Sequence, residues 1–336
     1  MLSTGPTDRD PAREELLPGR IAPLLAAAVV VGSGIGILLP GLGQQAGRLL
    51  PPTVLLLVTA LFFEARLDLR GALRAWRVVG PAWSVNFGLV PVLAYVISST
   101  FVGRELAAML GLFIYFAAPC TDWFLGFTRI AGGNIVAGSV LLPINMVTQL
   151  AAYPLMLSIF FGHRSGRVPD VGFTVLIWFA LPFVAARLGR MVAASTSASL
   201  QARLTRRAGR LVPWVITALI IEIFGANAQT ILAHFRIFIW CLVAVFSFFV
   251  IIFFIGELVG RACRLDRGDQ VLLTMTTSAR NAPLMLAITT VAIPGEPLTY
   301  AAIVIGMLIE FPHLVAVSTL LRRRGSVHRV VVRRMI

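Results

Sequence analysis

The sequence predicts an all-α polytopic membrane protein of about ten transmembrane helices, arranged as two inverted five-helix repeats. Three observations carry that prediction. Of 336 residues, 58% are hydrophobic and 13% charged, and the mean hydropathy is +0.87, outside the range of soluble globular domains. Apolar runs recur along nearly the whole chain, many near the length of about 20 residues that crosses the hydrocarbon layer. The basic residues, all 29 of them arginine, gather between those runs.

In chain order, residues 1–20 read as a cytoplasmic tail, because they lack the compact basic start and small-residue cleavage site of a signal peptide. Apolar runs and their breakers then place spans at 21–41, 51–65, 79–101, 106–129, 135–161, 171–190, 211–232, 236–260, 270–293 and 297–320. The second is short for an upright span, and the seventh suits a tilted one. Residues 321–336 form a basic cytoplasmic tail.

Arginine placement tests this count. A formal charge of +14 read without position suggests nucleic acid, but the arginines sit in short stretches suited to anionic headgroups and orientation signals. No nucleic-acid partner is expected; the lipid bilayer is. Segments assigned to one side hold 23 arginines against 5 on the other, with Arg280 left inside a span. Both termini therefore belong in the cytoplasm of a multi-pass cell-membrane protein. An even number of spans with an arginine-rich connection at 187–210 divides the chain into repeats 21–161 and 162–320, and five spans per half invert the second.

Two spans carry breakers at matching positions: Pro119 in "FAAPCTDWFLGF" and Pro283 in "TTSARNAPLMLAIT". Proline removes a helical donor and displaces the carbonyl four residues back, which in lipid is tolerated where neighbours or a cavity satisfy the freed groups. A matched pair of such breaks points to a transporter's midplane site; each alone is also consistent with a simple kink. Asp122 and Arg280 lie in these same spans. Each costs at least about 2.5 kcal/mol if left alone at mid-bilayer, so they are candidates for a mutual ion pair, either static or loosened during transport. Asn86, Asn281 and Ser278 are candidate substrate-binding groups, with Asn145, Thr121, Thr276 and Thr277 as further polar side chains that often only bridge helices. Among the acids, Glu257 suits a membrane edge beside Arg261, Glu222 is another near-span acid, and Glu310 lies deep enough to handle protons.

Cys120 directly follows the first break, where a half-helix N-terminus lowers the cost of a thiolate, the form that binds soft metalloids. A lone membrane cysteine is otherwise a small apolar filler, the reading given to Cys241 and Cys263. The four histidines show no metal-binding spacing, and no Walker motif occurs. No resident metal, no cofactor and no enzymatic activity is expected. A membrane redox enzyme or sensor built on Cys120 lacks a second nearby cysteine.

These residues resemble the arsenite-efflux permeases of the bile acid:sodium symporter superfamily. "APCTDWFLGFTRIAGGN" looks like that family's fourth span, with Cys120 followed by Gly132, Gly133 and Asn134. "VNFGLVP" resembles its third-span pattern through Asn86 and Pro91, "LLPINMVTQLAAYPL" its fifth span, and "AAIVIGMLIEFPHLVAV" its last, through Glu310 and Pro312. The resemblance implies a core domain, in which broken fourth and ninth helices cross, moving against a panel domain. It also implies arsenite or antimonite efflux by proton exchange, with Cys120 making a transient metalloid contact. Asp122 and Glu310 would then carry protons or pair ions, and Arg280 would balance charge. Two departures stand out. Arg280, Asn281, Ala282 and Pro283 fall on the family's Asn-Asn-Phe-Glu pattern, whose glutamate is missing. The glutamate and glutamine of sodium-coupled members fall near Thr276 and at Arg280, and a fixed cation there opposes sodium. The alternative is a proton- or ion-coupled carrier of small organic anions, with Arg280 as counter-ion.

Overall fold

The computed structural model describes residues 18–64, 72–121, 123–162 and 168–335, with side chains over a somewhat narrower set. All regular elements in it are helical. In chain order they are α1 (Pro18–Leu38), α2 (Pro40–Gly47), α3 (Leu50–Glu64), α4 (Ala72–Ser84), a π-helical turn (Val85–Leu89), α5 (Val90–Val102), α6 (Leu106–Ala117), α7 (Trp123–Ala131) and α8 (Ile135–Phe161). The second half continues with α9 (Val168–Thr196), α10 (Ala198–Ala233), α11 (Phe235–Ala262), α12 (Arg267–Ser278), α13 (Ala282–Ala292) and α14 (Pro297–Met335).

Among the described residues, six helices are long and apolar enough to cross a membrane, or seven when α2 and α3, bent by 48°, count as one span. The spans 106–129 and 270–293, expected to be broken, are divided into short pieces, α6 with α7 and α12 with α13. Side chains such as Val136, Phe246 and Leu258 stand about two-thirds or more exposed, as suits a surface that faces lipid.

Two connections are more ordered than the sequence suggests. The arginine-rich stretch 187–210 is helical apart from Ser197, whose side chain accepts the N–H of Leu200 at 3.1 Å and caps α10. That cap lets alanine, leucine and arginine, all good helix formers, extend α10 well ahead of its apolar span. The last helix likewise runs past 320 into the basic tail, to Met335. In the third span the chain widens into a π-turn, where the N–H of Val90 reaches back five residues to the Val85 carbonyl. Pro91 next in line has no N–H to give, and the wider turn redirects Asn86.

Helices α1, α2 and α3 pack on α10, while α6, α7, α12 and α13 gather around α14, with α11 behind α6 and α12. Close approach in the first group needs bare backbone. A Cβ on Gly32 would stand 2.8 Å from the Ile221 carbonyl oxygen, and one on Gly36 would strike the Gly225 carbonyl. Small residues one turn apart serve membrane helix pairs in this way, because packing rather than hydrophobicity holds them together.

Candidate functional site

The site begins with two interruptions. Ala118, after α6, and Ala279, after α12, both turn extended, and the two short linkers run antiparallel with Pro119 opposite Arg280. The N–H of Cys120 donates to the Ala279 carbonyl, and that of Asn281 to the Ala118 carbonyl, each at 3.0 Å. Unpaired main-chain groups at membrane depth cost several kcal/mol each, so each break satisfies the other. Pro119 fits opposite Arg280 because that position donates no bond across the pair. Pro283 does not sit in the second break, as its sequence position suggests. It occupies the first turn of α13, where a missing N–H costs nothing, and the interruption itself is Ala279–Asn281.

Arg280 is fully buried and is the largest side chain to be so among the described residues. Its Nη1 donates to the Phe116 carbonyl at 2.8 Å. Nη2 donates to the carbonyl of Thr277 and, at 3.4 Å each, to the Thr276 carbonyl and Asn86 Oδ1. Phe116 and the two threonines end α6 and α12, so the guanidinium lies where two helix dipoles present their negative ends. The face of Phe248, 5.4 Å away, adds a cation–π contact, and Phe248 in turn stacks on Phe116 at 4.2 Å.

The carboxylate of Glu310 reaches the same place from α14. Its Oε1 accepts the main-chain N–H of Arg280 at 2.8 Å, and its Oε2 accepts the Tyr115 hydroxyl at 3.3 Å. That hydroxyl also donates to the Gly306 carbonyl at 2.9 Å. Gly306 has to be glycine here, since a Cβ would fall on the Tyr115 ring. Across the crossing, Asn281 Nδ2 donates to Thr121 Oγ1 at 3.0 Å, and Cys120 is buried beside them.

A polar stripe on α8 completes the surroundings. Asn145, Gln149 and Tyr153 follow at intervals of four and share one face. Asn145 Nδ2 lies 3.4 Å from Thr276 Oγ1 on α12, and the Tyr153 hydroxyl lies 3.3 Å from Thr289 Oγ1 on α13. The stripe thus spans the break between those half-helices. Several of its neighbours' polar atoms are buried without a hydrogen-bond partner: Asn86 Nδ2, Asn145 Oδ1, both amide atoms of Gln149, Ser278 Oγ and Arg280 Nε. Each such group costs about 1–3 kcal/mol, and native interiors rarely leave buried polar atoms so.

The structure therefore brings together Pro119, Cys120, Asn86, Arg280, Asn281, Ser278 and Glu310. Asp122 lies outside the described residues, and so does its expected pairing with Arg280. Glu257 is bound to Arg261, the neighbour foreseen for it, at 3.4 Å and to Arg324 at 3.0 Å. Glu222 accepts from Thr53 at 2.8 Å, on the group formed by α3 and α10. Sequence reasoning passed over Tyr115, Gln149 and Phe248. Tyrosine and phenylalanine in an apolar run look like packing, but Gln149 falls four residues after Asn145, a spacing that was visible.

Comparison with known proteins places the chain at the level of family. Residues 23–325 match the SBF-like CPA transporter family (DUF4137). No curated protein matches the chain. The match covers both interruptions, the α8 stripe and Glu310 on α14, and a span of that length carries the conclusion that the chain belongs to the SBF-like CPA transporter family.

Proposed function

We propose that the chain is a secondary active transporter that exports arsenite or antimonite in exchange for protons, with the crossing of the two interrupted helices as its site. The observation that carries this reading is the position of Cys120: its thiol is buried in the same short linker whose main chain pairs with Ala279. A single thiol suits a carrier, because a soft contact made once binds weakly enough to release. In this reading the metalloid is cargo, and Cys120, buried in the linker, is the sulfur it touches.

Glu310 is the proton carrier in this reading, since it is buried yet bonded through both oxygens to groups of the crossing. The antiparallel pairing of the breaks supports an ancestry in two inverted repeats, 21–161 and 162–320, with α1–α3, α9 and α10 as the panel and the remaining helices as the core. The arginine bias supports cytoplasmic termini. Carriage of a small organic anion keeps one observation in its favour, the unpartnered Nε of Arg280; against it, both terminal nitrogens already donate to acceptors of the chain.

Everted membrane vesicles loaded at acid pH test the proposal. Wild-type vesicles should accumulate arsenite, and Cys120→Ser should lower the rate by about ten-fold, equivalent to about 1.4 kcal/mol of lost contact. No accumulation by the wild type, or equal accumulation by the variant, ends the thiol-based reading.

A further inference from the structure

We propose that the solute recognised at the crossing is electrically neutral and carries both hydrogen-bond donors and acceptors, and that Gln149 is the residue that selects it. The proposal rests on the reading that the crossing is the transport site, and it extends to groups that reading does not use.

The unpartnered atoms define the chemistry. Gln149 Nε2 and Asn86 Nδ2 are donors, Gln149 Oε1 and Asn145 Oδ1 are acceptors, and the Ser278 hydroxyl can act as either. All four side chains are buried, Gln149 at 4% exposure and the others at 0%. None carries a charge. A site for an anion would present donors, and a site for a cation acceptors; the uncharged groups here present both. The fixed cation nearby, Arg280, keeps its Nε unpartnered, but its terminal nitrogens, which carry the bidentate grip an anion needs, are committed to Phe116, Thr276, Thr277 and Asn86. Undissociated hydroxyl-bearing acids, polyols and ureas share the required pattern.

Position assigns the selecting role. On α8, Asn145 meets Thr276 before the second break and Tyr153 meets Thr289 after it. Gln149, one turn from each on the same face, is therefore held alongside the break itself. A buried amide with neither end bonded is a poor choice for packing, since an apolar side chain of similar size avoids the desolvation penalty. A site built from such groups discriminates strongly, because a solute unable to answer them leaves them unpaired.

The test uses the full chain, purified for thermal denaturation and reconstituted in liposomes, with arsenite at neutral pH, glycerol and urea as neutral probes and pyruvate as the anion. At least one neutral probe should be carried and pyruvate should not. Gln149→Leu should raise KM for the carried probe by about ten-fold or more, while its melting temperature stays equal to or above that of the wild type. A purely structural glutamine predicts the reverse, a lower melting temperature with KM unchanged, and that result overturns the proposal. So does carriage of pyruvate alone, or of no neutral probe. Gln149→Met serves as a second variant; failure of both to fold also overturns it, since an unpartnered amide is not needed for folding. Carriage of glycerol or urea without arsenite removes the metalloid reading and leaves this inference standing.

Discussion

At the scale of single residues, the crossing separates two tasks that one charged pair often shares. The guanidinium of Arg280 is absorbed mainly by main-chain carbonyls at helix ends, while its main-chain N–H is the group that holds Glu310. The carboxylate is thus positioned by backbone and by the Tyr115 hydroxyl, and it can change protonation without releasing the guanidinium from its carbonyls. Glu310→Gln tests this division. The amide oxygen still accepts from the Arg280 N–H, so the variant should fold with a stability loss of no more than about 1.7 kcal/mol, the upper range for one membrane hydrogen bond. Transport driven by an imposed pH gradient should nevertheless be lost, and its rate should no longer vary with lumenal pH. A rate that still follows lumenal pH in the variant would show that the proton travels elsewhere.

At the scale of elements, the broken helices were legible because proline has a fixed chemical consequence. Pro119 marked its break to the residue. Pro283 marked the second only to within a turn, since proline is also at home at the start of a helix, and there it follows the interruption it announces. The division of the spans into α6 with α7 and α12 with α13 was therefore readable, but the main-chain pairing between them was not. Pairing of distant carbonyls and N–H groups leaves no trace in side-chain pattern. The close packing of α6 on α14 was hidden for a similar reason: Gly306 is one glycine among 29 until the Tyr115 ring is seen against it. Gly306→Ala should push that ring away, weakening the hydroxyl's bonds to both Gly306 and Glu310. A cost of about 1–3 kcal/mol is expected from overpacking, read as a lower melting temperature of the purified protein. An unchanged melting temperature would mean that α6 shifts freely against α14.

At the scale of the whole molecule, the lopsided distribution of arginine was the clearest signal, because charge distribution across a bilayer is set by sequence position alone. It makes an orientation measurable through cysteine chemistry. Cys263 is exposed at the end of α11, between Arg261 and Arg264, whereas Cys120 and Cys241 are buried. A membrane-impermeant maleimide should label one cysteine per chain in everted vesicles and almost none in intact cells. Labelling of intact cells instead would reverse the assigned topology. What the sequence could not convey at this scale is how α8 packs on α12 and reaches α13 through Tyr153. That juxtaposition depends on helices far apart in the chain, and Gln149 gains its meaning only from it.

The pairing of the two linkers also bears on what kinds of mutation the protein can absorb. Its hydrogen bonds belong to the peptide units of Ala118, Cys120, Ala279 and Asn281, so exchanging one side chain for another, proline at the two donors excepted, leaves them intact. Adding or deleting a single residue in either linker slides one set of peptide groups past the other and unmakes both bonds together. The spacing between half-helices is consequently a length written into the chain, and it constrains descent by insertion and deletion far more tightly than by substitution.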